Sequence, residues 1–164
     1  MQMSEKDMFL KTCEQELQIT LKALRAYPAD RLEYRPHEKS RTGGDLAWIF
    51  TAEQAIVDMT LKGKIEFGGQ SPQRPKTMND ILSAYEKIYN ANLQKIKAMS
   101  EADFNSPIDW PIGPGKMMTM RKADVLWITV MDAVHHRGQL SVYIRLAGGK
   151  VPALYGPSAD ETWS

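Results

Sequence analysis

Thr119-Met-Arg-Lys-Ala-Asp-Val125-Leu-Trp-Ile-Thr-Val-Met-Asp132-Ala-Val-His-His136-Arg-Gly-Gln139-Leu-Ser-Val-Tyr143-Ile-Arg-Leu-Ala147 is the longest amphipathic-to-apolar run of the chain and constrains its architecture most. Its apolar residues, from Val125 to Leu146, spread around most of a helical circumference, and Gly148-Gly149 ends the pattern. A helix apolar on so many sides must be covered on more than one of them. Either three other helices and the C-terminal segment enclose it, or a second subunit does.

Working outward, the chain supplies the three other helices. From about Ser4 to Tyr27, Phe9, Leu10, Cys13, Leu17, Leu21 and Leu24 recur at three- and four-residue intervals, and Pro28 stops the run. A polar connector, Arg31 to Ser40, leads to Thr42 and Asp45, a T-x-x-D start signal for a second helix carrying Leu46, Ile49, Phe50, Ile56, Val57 and Leu61 and ending at Gly63. Residues 68–75 are turn-forming, and Thr77 with Asp80 opens a third helix that runs to about Met99. Residues 104–118 hold too many Pro and Gly for a helix and predict a short hairpin-like excursion, with Met117, Met118 and Met120 beside a turn. Val151 to Ser164 reads as an irregular tail, with Val151, Leu154, Tyr155 and Trp163 packing back on the bundle. The expected fold is all-α, a single-domain four-helix bundle over residues 1–164 with minor strands.

Composition narrows the function classes. With 164 residues, 43% hydrophobic and 25% charged, the chain is an ordinary globular domain, and no apolar run approaches the roughly 20 residues a membrane span needs. A net charge of +1, with Lys and Arg scattered among Asp and Glu, argues against nucleic acid as a partner. The first residues lead into an amphipathic pattern and not a secretory apolar core, so the expected location is the cytoplasm. The single cysteine, Cys13, can form no intrachain disulfide and reads as core packing.

Chemistry concentrates on the fourth helix. Asp132, His136, Gln139 and Tyr143 follow at i, i+4, i+7 and i+11 and share one face of an otherwise apolar helix. On the second helix Glu53 interrupts the apolar stripe. Ionisable groups are costly to bury unless paired or metal-bound, which leaves two readings open. Glu53, Asp132 and His136 hydrogen-bond across the bundle, or they hold a divalent cation such as zinc or nickel in its core. Arg137 is expected to form a salt bridge across helices or a subunit interface, Gly138 to permit a close helix approach, and His37 to lie on the surface.

The segment from Asp132 through His-His-Arg-Gly-Gln, Gly148-Gly149 and Tyr155-Gly-Pro-Ser-Ala to Asp160-Glu161 resembles the C-terminal signature of the DinB/YfiT-like family. Tyr34-Arg-Pro-His and Arg41-Thr-Gly-Gly-Asp-Leu-Ala-Trp48 resemble the approach to that family's second helix. The resemblance implies a four-helix bundle, often dimeric, close to bacillithiol S-transferases and mycothiol-dependent maleylpyruvate isomerase. It also implies a divalent metal on three histidines. Of those three positions only His136 keeps its histidine; the others fall on Asp132 and Ile49, and Ile49 has no donor. His135, adjacent on the helix, points about 100° away and is not the missing ligand.

The leading expectation is therefore a small-molecule-binding or non-catalytic member whose three-histidine site is degraded, with no cofactor assigned beyond a candidate divalent metal, zinc or nickel. Its pocket candidates are Ile49, Glu53, Asp132, His136, Gln139 and Tyr143. The alternative is a thiol S-transferase in which Asp132, His136 and Glu53 hold the metal and a thiol is the ligand. A scaffold dimer is the third possibility. A homodimer is expected both from the wide apolar circumference of the fourth helix and from the resemblance.

Overall fold

The computed structural model describes residues 2–66 and 72–162. Its long helices are α1 (Glu5–Ala26), α2 (Gly43–Lys62), α3 (Met78–Ala98) and α5 (Lys122–Leu146); a single turn, α4 (Glu101–Phe104), precedes a hairpin of β1 (Pro107–Gly113) and β2 (Lys116–Arg121). The start signals act as expected. Thr42 and Thr77 accept from the backbone N–H groups of Asp45 and Asp80, both at 3.1 Å, and Ser4 forms a reciprocal capping box with Asp7. Gly63 ends α2 in the left-handed conformation, φ 77°, which a side chain would strain.

One boundary differs from expectation. The fourth long helix starts at Lys122 rather than Thr119, and Met117, Met118 and Met120, which follow the hairpin turn as expected, belong to β2. The extra residues pair with β1, where Trp110 faces Met118 and Ile108 faces Met120. Ile108, Ile65 and Val125 bury together there, so strand pairing over an apolar cluster outweighs early helix propensity. The turn-forming residues 68–71 and Trp163 lie outside the described residues.

The long helices form a square. α1 packs on α3 and α5, and α2 packs on the same two, so α1 and α2 are diagonal. Cross-helix contacts fix the directions. Tyr89 donates to the Cys13 carbonyl and Lys6 to that of Met99, which makes α1 and α3 antiparallel. Asn92 meets Gln54 and Lys95 meets Asp58, which makes α2 and α3 parallel. Parallel neighbours require a connection that returns the chain to its starting end. Here the residues before α3 do so, with Arg74 paired to Glu33 and to Asp45 at 3.0 Å and the Trp48 indole donating to the Pro72 carbonyl.

Phe9, Leu21, Leu24, Phe50, Ile81, Tyr85, Leu126, Leu140 and Ile144 fill the common core. Arg137 joins them, 1% exposed, with its guanidinium paired to Glu16 on α1 and donating to the Thr20 hydroxyl at 2.6 Å. The expected cross-helix salt bridge is thus within the chain. Tyr155 donates to Glu16 at 2.6 Å and lies over the guanidinium, 5.0 Å from ring centroid to Cζ. Val151 and Leu154 pack on the core, and Lys22–Glu161 and Arg145–Asp160, both 2.7 Å, hold the rest of the tail.

α5 is not fully enclosed. Ile128, Met131, Val142 and Leu146 remain 42–61% exposed. A Cβ built on Gly138 would meet nothing within 4 Å, so no helix of this chain makes the close approach expected there.

At the start of α2, the Gly43-Gly44 pair has a steric cause. A Cβ on Gly43 would stand 1.7 Å from the hydroxyl of Tyr27, itself 2% exposed and donating to the Arg31 carbonyl. Gly43→Ala should therefore destabilise the protein by about 1–3 kcal/mol, the usual cost of overpacking. Within one chain Ala at Gly138 meets nothing and by helix propensity adds about 1 kcal/mol, so under monomeric conditions it should not destabilise the fold. Urea denaturation of the two variants measures both, and equal midpoints would refute the steric account.

Candidate functional site

α2 and α5 run antiparallel, which sets Glu53 opposite the turn of α5 bearing Asp132 and His136. The Nε2 of His136 lies 3.5 Å from Glu53 Oε1 and 3.5 Å from Asp132 Oδ2. One donor atom from each of the three lies within 4.8 Å of the others, a group able to hold a metal ion. Glu53 is 5% exposed and its Oε1 has no hydrogen-bond partner. Asp132 opens to solvent, its side chain 49% exposed, and His136 is intermediate at 15%.

The electrostatics of this group are unfavourable to Glu53 as an anion. Burial, then the neighbouring Asp132 charge, push its carboxyl up to about 9. A buried carboxylate with an orphaned oxygen, facing a second carboxylate and an imidazole, is the donor chemistry a divalent cation satisfies. The three residues fit such an ion. On His136 the other ring nitrogen, Nδ1, lies 3.1 Å from Gln139 Oε1, and Gln139 Nε2 lies 2.9 Å from His135 Nε2. With Nδ1 protonated toward Gln139, Nε2 is left as the acceptor facing the carboxylates.

The six pocket candidates divide into two compartments. Glu53, Asp132 and His136 form the donor group. Gln139 and Tyr143 lie on the other side of the His136 ring and, with Ser40, Arg41 and Leu46, line a cavity of about 410 Å³. Ile49 belongs to neither, being partly buried against the main core. The three-histidine set that the resemblance implies is absent, and the α2 donor is supplied one turn later by Glu53. Arg41 was not singled out from sequence. Its only signal was position, directly before the Thr42 cap, and its placement depends on α5 lying alongside. His135 is exposed and outside the donor group, and His37 is a surface residue whose Nδ1 accepts from the Lys39 N–H at 3.2 Å. Cys13 is buried, its thiol pushed up to about 12 by desolvation, and it borders an interior gap of about 30 Å³. That fits packing and not reactivity.

The DinB family model matches residues 1–163, and the chain belongs to the DinB family. An uncharacterized protein, YrdA, of Bacillus subtilis is 28% identical over 156 residues, 94% of this chain and 90% of its own length. The crystal structure of a DinB-like protein from Bacillus cereus superposes with a TM-score of 0.76 at 24% identity, covering 90% of this chain and 95% of the other. A DinB-like protein, YjoA, from Bacillus subtilis gives 0.67 at 16% identity over 86% and 92% of the two chains. At such identities the structures speak for the shared fold.

The raised Glu53 carboxyl has a sign that can be measured. The folded protein holds this proton more tightly than the unfolded chain, so its contribution to stability is complete below about 4.5 and is lost as pH rises toward 9. Metal-free wild type should lose melting temperature across that window more steeply than Glu53→Gln, whose neutral amide does not titrate. Parallel thermal melts in chelator at pH 5, 7 and 9 give the comparison, and identical slopes would remove the argument.

Proposed function

We propose that this member of the DinB family binds a divalent cation through Glu53, Asp132 and His136 and takes a small molecule in the adjoining cavity. The observation that carries the reading is the buried Glu53 oxygen, without a hydrogen-bond partner and facing His136 Nε2 at 3.5 Å. Two carboxylates and one imidazole are a harder, more oxygen-rich set than three histidines, and such sets suit manganese or magnesium better than nickel. When bound, a divalent cation supplies a Lewis acid that lowers the pKa of a coordinated water or thiol. The chain's own part is to hold that position. Glu53 contributes from the closed side, Asp132 from the open side, and Gln139 orients the His136 ring.

Calorimetric titration of tag-free protein with manganese, zinc and nickel tests this directly. One ion per chain should bind, and Glu53→Gln or His136→Ala should each weaken it by more than tenfold, since losing even a group that only orients a ligand costs about that much. A cation in hundredfold excess over Kd should stabilise wild type by about 2.7 kcal/mol. Absence of binding by all three cations would leave the hydrogen-bonded, metal-free reading.

We infer also that the protein is a homodimer joined through α5. Ile128, Met131, Val142 and Leu146 stand at positions that share the outer face of that helix, with Gly138 between them open to close approach. The face is self-complementary. In an antiparallel pair about a twofold axis near Gly138, the Ile128 end of one copy meets the Leu146 end of the other. Sedimentation at micromolar protein should give twice the 18.6 kDa chain mass. Val142→Glu, an exposed substitution, should shift it to monomer, and a wild-type monomer would end the proposal.

A further inference from the structure

The cavity on the far side of His136 has a chemistry of its own. Its floor is Leu46, 2% exposed, its inner wall is the His136 ring, and Gln139 and Tyr143 stand along α5. At about 410 Å³ it is the size of a small-molecule site. The Tyr143 hydroxyl donates to the Arg41 carbonyl at 3.2 Å, which ties the rim of the cavity to α5 and fixes the backbone from which Arg41 projects.

Arg41 differs from the arginines that build the fold. Arg74, Arg121, Arg137 and Arg145 are each held by a carboxylate. Among the described residues no carboxylate forms an ion pair with Arg41, nor with Arg35 or Lys39 of the same connector. Of the two acids in that connector, Glu33 is engaged by Arg74, and Glu38 forms no ion pair with Arg41 among the described residues. Arg41 is the one cationic side chain among the residues that line the cavity, and the imidazole of the donor group lines it too. An unpaired guanidinium beside a concave, half-apolar surface matches a planar carboxylate, which accepts two parallel N–H bonds from the fork.

We propose that this cavity is a binding site for a small carboxylate-bearing molecule whose carboxylate pairs with Arg41 at the rim. Its body lies on Leu46 and Tyr143, and its other end reaches toward His136. The assignment deepens the cation reading and rests on it only for that inner end. The carboxylate contact with Arg41 stands without a metal.

Succinate, citrate and phenylacetate serve as probes, with succinamide as the uncharged control. Titrations followed by calorimetry are run on wild type, Arg41→Gln and Arg41→Lys, each once in chelator and once with saturating manganese. At least one carboxylate should bind wild type in chelator, and succinamide should not. Arg41→Gln should lose about tenfold or more in affinity, the worth of a charge-assisted hydrogen bond, and Arg41→Lys should recover part of it. Arg41 is exposed, and unchanged thermal melts show the variants folded. The cation reading can fail alone, with manganese not binding while Arg41-dependent carboxylate binding persists. The cavity assignment is overturned if no carboxylate binds up to about 10 mM, a Kd well above the millimolar scale of weak binding. It is equally overturned if carboxylate binding needs manganese and ignores Arg41→Gln, because the carboxylate is then only a ligand of the cation.

Discussion

Arg137 carries a full positive charge in the interior of the bundle, and the helices around it are arranged to neutralise that charge. Its guanidinium meets the Glu16 carboxylate, the Thr20 hydroxyl and the Tyr155 ring, so α1, α5 and the C-terminal tail are joined at one point. Removing one partner of such a pair strands the other charge, at a cost of about 3–5 kcal/mol. The pair therefore fixes how α5 is rotated and translated against α1 more strongly than apolar contacts, which tolerate sliding. Once Arg137 is directed at α1, the preceding residue must point about 100° away. That direction is toward α2, and the residue is His136.

From this register the donor group follows. His136 and Asp132, four residues apart, are presented to the stripe of α2 that carries Glu53, and the antiparallel crossing brings the three within 4.8 Å. The cost of the arrangement is visible in Glu53, whose carboxyl is driven to hold its proton by burial and by Asp132. Structural stability gives no reason to set a buried acid, Glu53, against the solvent-facing acid Asp132. A divalent cation bound there, as proposed above, would turn the mutual repulsion of the two carboxylates into shared attraction to the ion. The same imidazole separates this group from the cavity at Arg41, so the two compartments share His136 as a common wall.

The outer surface of α5 carries the opposite imbalance. Apolar side chains at Ile128, Met131, Val142 and Leu146 lie uncovered, and the one glycine of the helix is set among them. An uncovered apolar stripe of this kind marks an interaction surface. Asp132 and Gln139 border it, which places the donor group and the cavity next to the face through which two copies would join.

Local physical chemistry made much of the fold legible. Thr42, Thr77, Pro28 and Gly63 bound the helices because caps and breakers act within a few residues, and the 3.6-residue period of apolar positions selected the buried faces. Asp132 and His136 could be seen to share a face for the same reason, and family-like motifs supported the bundle. The start of α5 was misplaced because Thr119 and Met120 are claimed by pairing with β1, a contact between segments that local propensity does not register. Which α2 residue would meet His136, whether Ile49 or Glu53, depended on the relative translation of two helices. So did the partner of Arg137 and the position of Arg41 over a cavity. Sequence alone determined which groups lie on each helical face, since that is fixed by the geometry of one backbone. Tertiary structure alone decided which faces meet and at what height, because that is set by packing and charge neutralisation between segments far apart in the chain.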